Sequence, residues 1–145
     1  MDKSAKFAQL FLRLALGFSF LSAVADRFGM WGAQGEPSVA WGNWSSFLDY
    51  TYLLVPYMSR ALSDIAGTVA TVAEVLFGIL LIIGFKTRLA ALGSALLLVV
   101  FALSMFVFLG AKAPFDYSVF TAAAGAFLLA AVAKYEWSVD QSIGK

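Results

Sequence analysis

Long apolar segments separated by short polar ones dominate the sequence. They cover residues 7–25, 65–85, 89–109 and 117–133. A helix of about 20 residues, rising about 1.5 Å per residue, crosses the roughly 30 Å of hydrocarbon in a bilayer. The pattern therefore predicts an all-α integral membrane protein, in which a single domain forms a four-transmembrane-helix bundle.

The composition supports a membrane protein and restricts its chemistry. Hydrophobic residues make up 61% of the chain and charged residues 13%, and the mean hydropathy is +0.84. A net charge of +1 without a basic run predicts the lipid bilayer as a partner and no nucleic acid. The chain has no cysteine and no histidine, which are the usual ligands of haem, zinc and copper. We therefore expect no metal site and no covalent cofactor, and any redox chemistry would use a bound quinone or lipid, or a partner subunit.

Basic residues are distributed unevenly between the two ends of the predicted bundle. One end holds both termini and most of the cations, namely Lys3, Lys6, Lys86, Arg88, Lys134 and Lys145. By the positive-inside rule both termini are cytoplasmic, and a bacterial inner membrane is the expected location. The N-terminal segment also resembles a secretory signal ending at residues 23–25. Because Arg13 interrupts its apolar run, we interpret this segment as a retained first span.

Two of the segments outside the predicted spans have features of their own. Residues 26–63 form a long outer loop rich in aromatic side chains, including Trp41 and Trp44. Such enrichment is typical of the headgroup level of a membrane, and the loop is either an ordinary aromatic belt or a lid over a lipid-soluble ligand. Within it we expect a short helix that begins at Ser46 and ends before Pro56. Residues 138–145 are expected to be a flexible tail.

Two charged residues interrupt the predicted spans. Arg13 lies in the first span and Glu74 in the second, and a charge in hydrocarbon is expected to face the protein interior and to have a partner. Counted from the same membrane boundary, their depths differ by about 6 Å at a rise of about 1.5 Å per residue. We therefore predict a buried Arg13–Glu74 pair, which either fixes helix register or serves function.

Small residues give the two helices room to approach each other around this pair. Gly67, Thr71, Glu74 and Gly78 fall on one face of the second span, and Gly17 lies one turn beyond Arg13. Small residues allow close packing of membrane helices. We expect this stripe to lie between the first two spans.

Several motifs in this order resemble the DoxX family of small four-helix membrane proteins. They are Arg13-Leu-Ala-Leu-Gly17, the Pro-containing segment 54–56, Ala73-Glu74-Val-Leu-Phe-Gly78, and Gly84-Phe-Lys-Thr-Arg88-Leu-Ala-Ala91. Two features depart from the family. Family members often carry Gly-x-x-Lys after the first span, where this chain has Asp26 and Arg27, so Arg27 is expected to replace that lysine. The lack of cysteine excludes independent thiol exchange.

The resemblance implies a role in a membrane redox system, because the family takes its name from a membrane subunit of a thiosulfate:quinone oxidoreductase. The expected function is to bind a quinone-like or other amphipathic small molecule, with Arg13 and Glu74 as the catalytic centre. Arg13 would donate a hydrogen bond and Glu74 would exchange a proton. The expected ligand mouth consists of Asp26, Arg27, Trp41 and Trp44.

Two other functions fit the same residues. One is a non-enzymatic accessory or scaffold subunit of a larger membrane complex, in which the ion pair is architectural. The other is a small-molecule or proton-coupled transporter that works by self-association, because ionisable groups inside membranes often mark ion pathways. The protein is thus at most the membrane subunit of a quinone-linked oxidoreductase.

Overall fold

The protein is all-helical in a computed structural model that describes residues 2–144, a part of the chain in which no strand occurs. The helices are α1 (Lys3–Arg27), α2 (Trp44–Leu54), α3 (Arg60–Ile83), α4 (Thr87–Phe108), α5 (Lys112–Asp116), α6 (Val119–Ala130) and α7 (Val139–Ser142). The N-terminal half of α1, the turn between α3 and α4, and the segment after α6 meet at one end of the bundle, called here the terminus end. The opposite end, which carries α2, is the loop end.

Three of the helices, α1, α3 and α4, are long and apolar enough to cross a membrane. The predicted fourth span is shorter in the structure, because α6 has 12 residues and extends for only about 18 Å. Ser118, with a left-handed backbone (φ 54°), separates it from α5. At its other end, Tyr135 donates a hydrogen bond to the carbonyl of Leu129 at 3.0 Å. This side chain satisfies a terminal carbonyl that further helix would otherwise have used.

Helices α1 and α3 cross at the predicted small-residue stripe. A Cβ atom on Gly17 would lie 2.9 Å from the carbonyl oxygen of Gly78, and one on Gly78 would lie 3.1 Å from the carbonyl oxygen of Gly17. The α3 residues Gly67, Thr71 and Glu74 are buried on the same face. At Gly78 the stripe lies against α1 as predicted, and the backbones touch because neither glycine has a side chain. Gly67, at the other end of the stripe, packs against α2 instead.

Alanine packing joins α4 to α6. The main core contains Leu16, Phe20, Leu81, Ala90, Ala91, Ala95, Leu98, Ala123, Ala126 and Leu129. Small side chains on both α4 and α6 let these helices lie close together, as is usual in membrane bundles. In contrast, the large apolar residues of α3 and α4 that point away from this core are exposed, as lipid-facing side chains are.

The long loop folds over the loop end and includes α2. The predicted short helix is present, but it begins at Trp44 rather than Ser46, because the side chain of Asn43 caps it by accepting a hydrogen bond from Ser46 N at 2.8 Å. It ends before Pro56, as expected. One face of α2 packs on α3, where Phe47 is buried near Gly67. The loop therefore lies directly over the Gly67 end of the small-residue stripe of α3.

Candidate functional site

A buried ion pair joins the end of α1 to the middle of α3. Arg27 Nη1 pairs with Glu74 Oε2, and only 3% and 4% of these two side chains are exposed. The same Nη1 donates a hydrogen bond to Thr71 Oγ1 at 2.6 Å. Arg27 Nε is buried and has no hydrogen-bond acceptor within residues 2–144. This loop-end site, comprising Arg27, Glu74 and Thr71, thus contains one unused donor.

Aromatic rings cover the guanidinium of Arg27. Its Cζ lies 3.9 Å from the centre of the Phe47 ring and 5.3 Å from that of Trp41. The two rings meet edge to face, with centroids 5.3 Å apart. A cation over a ring face is favoured by about 1–2 kcal/mol where water is excluded. The rings therefore stabilise the charge of Arg27 and exclude water from the ion pair.

Asp26 holds the loop against this site. Its carboxylate accepts hydrogen bonds from the backbone N–H groups of Ala40 at 2.9 Å, Trp41 at 2.8 Å and Gly42 at 3.0 Å. Gly42 has φ 71°, and a Cβ there would contact Ala33 and Gln34. Asp26 thereby positions Trp41 over its neighbour Arg27. Since both carboxylate oxygens are engaged by the loop, Asp26 acts on this site by holding the loop in place.

Trp44 does not cover the ion pair itself but packs on Phe47, which does. It stacks on Phe28 with centroids 5.4 Å apart and contacts Phe47 at 5.3 Å. Among the residues expected at the ligand mouth, the structure thus brings Arg27 and Trp41 together with Glu74. Asp26 binds the backbone of Trp41, and Trp44 packs on Phe47.

The predicted Arg13–Glu74 pair is wrong. Arg13 is fully buried, as expected, but it donates to backbone carbonyls: Nε to Leu81 at 3.0 Å, Nη2 to Ile82 at 3.1 Å, and Nη1 to Glu136 at 3.0 Å and Trp137 at 3.3 Å. Helical side chains lean toward the N-terminus of their own helix. Because α1 and α3 are antiparallel, Arg13 leans toward the terminus end and Glu74 toward the loop end. The two side chains point away from each other.

Arg13 and Asp140 together form a terminus clasp, which we define as these two residues and the backbone they bind. Arg13 caps the C-terminal carbonyls of α3, and Asp140 accepts hydrogen bonds from Lys86 N and Thr87 N, both at 2.8 Å, at the start of α4. Gly84 lies between them with φ 71°, where a Cβ would contact Arg13 and Ser138. A cation at a helix C-terminus and an anion at an N-terminus both complement the helix dipole.

The C-terminal segment therefore differs from the predicted flexible tail. Residues 139–142 form α7, Ser138 caps it by accepting from Gln141 N at 3.0 Å, and Asp140 is buried. The predicted tail also includes Lys145, which lies outside the described residues. Burial by itself would raise the pKa of the Asp140 carboxyl, but hydrogen bonds from Thr87 and Lys86 and the charge of Arg13 outweigh it and lower that pKa. Asp140 is held as an anion.

Two surface recesses border the loop-end site. A loop recess of about 880 Å³ lies between α1 and the loop, and its walls include Ser19, Ser22, Asp26, Trp31 and Trp41. A bilayer recess of about 380 Å³ lies between α1 and α3, lined by Val24, Phe28, Thr71, Val72, Val75, Leu76 and Ile79. Thr71 is the one polar residue of the bilayer recess, and its hydroxyl also bonds Arg27.

A known family signature covers most of this architecture. The DoxX family profile matches residues 8–110, which include Arg13, Arg27 and Glu74. The chain belongs to the DoxX family. No curated protein and no solved structure matches it significantly. In this DoxX protein Asp140 lies beyond the matched residues, so the terminus clasp joins the family region to the C-terminal segment.

Sequence reasoning misassigned the partner of Glu74 and missed Asp140. The signal for Arg27 was available, since a long side chain on the last turn of α1 leans back toward the helix middle, where Glu74 lies. Asp140 gave a weaker signal, because the Ser138 cap predicts a helical turn but not where that turn docks.

Proposed function

We propose that this DoxX membrane protein binds a quinone-like amphipathic small molecule at its loop-end site and serves as the membrane subunit of a redox system. One observation carries the proposal: Arg27 Nε is a buried donor without an acceptor among the described residues. A buried donor left unpaired costs about 1–3 kcal/mol. A carbonyl oxygen of a quinone is an acceptor that would remove this cost.

Each residue of the site has a role in this proposal. Arg27 donates to the ligand carbonyl, and Glu74 holds the guanidinium and exchanges a proton with the ligand. Phe47 and Trp41 provide apolar walls, as small-molecule sites require. Arg13 has no part in binding, because its donors are used by backbone carbonyls at the terminus end.

The test is quinone binding by the full-length protein in lipid nanodiscs. A benzoquinone with a decyl tail is titrated, and quenching of tryptophan fluorescence is followed, since Trp41 adjoins Arg27. We expect saturable binding that weakens about tenfold or more in Glu74→Gln and Arg27→Gln. Arg60→Gln is the matched control, because Arg60 also pairs with carboxylates but is exposed. Absence of saturable binding, or equal binding by all variants, would contradict the proposal.

The burial of the ion pair favours a second candidate function, that of an accessory subunit that binds no ligand. Both Arg27 and Glu74 are almost completely buried, and a purely architectural pair needs no opening. This alternative predicts that affinity purification from gently solubilised membranes retains a larger membrane protein in fixed stoichiometry, with no small molecule in native mass spectra. Retention of a quinone that Glu74→Gln loses would exclude it.

The proposed setting is a bacterial inner membrane with both termini cytoplasmic. Because the chain has no cysteine, its membrane topology can be tested by labelling single introduced cysteines. Single cysteines at Ser142 and Ser45, both exposed, are treated in intact cells with a membrane-impermeant maleimide. We expect Ser45→Cys to react in intact cells and Ser142→Cys only after lysis, and the reverse pattern would invert the topology.

A further inference from the structure

The bilayer recess shares one residue, Thr71, with the loop-end site. Its walls come from the middle of α3 and the last turns of α1, and apart from Thr71 they are apolar. Val72, Leu76 and Ile79 on its rim are among the exposed large apolar residues, as expected for side chains that face hydrocarbon. The recess therefore opens on an apolar face of the bundle, the kind of surface that lipid covers.

Thr71 separates the recess from the ion pair. Its hydroxyl donates to the carbonyl of Gly67 at 2.9 Å and accepts from Arg27 Nη1 at 2.6 Å. Both hydrogen bonds satisfy Thr71, and Arg27 Nε, on the same guanidinium, remains without an acceptor within residues 2–144. Thr71 thus joins the wall of the recess to the guanidinium that carries the unused donor.

The loop recess is larger, but its residues block it from the ion pair. Trp41 stands between this recess and the guanidinium of Arg27. Asp26 fixes Trp41 there through three backbone hydrogen bonds. Entry from this side would require the loop to detach from Asp26, whereas the bilayer recess is lined by residues of α3 and the end of α1 and not by residues 40–42.

We propose that the ligand enters the loop-end site laterally from the bilayer, through the bilayer recess, and that its hydrocarbon tail stays there while its head bonds Arg27 Nε. This inference rests on the proposed function and narrows the ligand class to membrane-dissolved molecules with a long apolar tail. Lipid and recess are equally apolar, so the tail gains little free energy by moving between them. The recess therefore determines which ligands reach the site and what tail shape fits, and the head group supplies most of the binding affinity.

Two matched plugs test the route in nanodiscs. Val75→Phe narrows the bilayer recess and Ser22→Phe narrows the loop recess, and neither adds a tryptophan. The probes are a benzoquinone with a decyl tail and the same ring without a tail, each expressed as mole fraction in the bilayer. We expect Val75→Phe to weaken binding of the tailed probe about tenfold or more and Ser22→Phe to change it less than about twofold. Binding of the tailless probe should fall less in Val75→Phe.

Each other outcome overturns the inference in a distinguishable way. Loss of binding in Ser22→Phe but not Val75→Phe places the entrance at the loop. Equal binding by both plugs, with loss in Glu74→Gln, refutes the bilayer route and leaves the proposed function intact. No binding by the unmodified protein refutes both. If Val75→Phe fails to fold by circular dichroism, Leu76→Phe and Ile79→Phe, on the exposed rim of the same recess, replace it.

Discussion

Two arginines of α1 are buried almost equally, yet their surroundings differ. Arg13 and Arg27 are 0% and 2% exposed and lie about 21 Å apart along the helix. Arg13 uses Nε, Nη1 and Nη2 on helix-end and loop carbonyls. Arg27 faces a carboxylate and keeps Nε unused. The donors of Arg13 named here are all engaged by the fold, whereas Arg27 can donate one further hydrogen bond.

The difference follows from position on the helix. Arg13 lies near the terminus end, where the last turn of α3 offers carbonyls that have no partner within the helix. Arg27 lies opposite the middle of α3, where all carbonyls are bonded internally, so only side chains can neutralise it. The fold therefore satisfies one arginine with backbone and needs Glu74 for the other.

The strongest test of this contrast is a double-mutant cycle at the loop-end site. Arg27→Ala and Glu74→Ala should each lower the free energy of unfolding by about 3–5 kcal/mol, because each leaves a buried charge unpaired. The double variant should be more stable than either single one. Unfolding in mixed micelles followed by circular dichroism measures this, and additive losses would show that the two charges do not act as a pair.

A parallel cycle at the terminus clasp should behave differently. Arg13→Ala should cost about 3 kcal/mol, since helix-end carbonyls lose charge-assisted hydrogen bonds. Adding Asp140→Ala should increase the loss rather than restore stability, because Asp140 binds backbone N–H groups and not Arg13 directly. Recovery in this double variant would mean that the clasp is an ion pair like the loop-end site.

The two arginine sites also separate what the sequence could predict from what it could not. Hydropathy predicted the all-helical membrane fold and the three long spans, and the small-residue stripe correctly placed the contact between α1 and α3. The cost of a charge in hydrocarbon correctly predicted that Glu74 faces the protein interior. The error arose from pairing charges by depth alone, without the direction in which each side chain leans. The family motif at residues 84–91 did not indicate that the turn between α3 and α4 is held by residues more than 40 positions away.

The end of α6 is a second feature that hydropathy did not predict. Apolar residues continue past Ala130 in the sequence, so hydropathy alone extends the helix. In the structure α6 ends at Ala130, and side chains bind the carbonyls around this end: Tyr135 donates to Leu129 and Arg88 to Val132. Such competition between side chains and backbone depends on tertiary contacts, which periodicity does not contain.

Acidification should weaken the terminus clasp through Asp140. Its pKa is lower in the folded protein than the unfolded value of about 3.9. Its stabilising contribution is therefore complete above that unfolded value and is lost as pH falls through the lower folded pKa. Asp140→Asn should cost about 1 kcal/mol at neutral pH, as for loss of a helix cap, and should flatten the acid limb of a stability curve. An unchanged acid limb would contradict this assignment.

The smallest effect should come from the arginine with the most carboxylate partners. Arg60 bonds both Asp49 and Asp64 at 2.8 Å, but 47% of its side chain is exposed. Exposed ion pairs are screened by water and salt, so Arg60→Gln should leave thermal unfolding nearly unchanged at physiological ionic strength. Arg13 has no carboxylate in direct contact, and its loss should be severe. Should Arg60→Gln destabilise the protein as much as Arg13→Ala, partner number rather than burial would govern these sites.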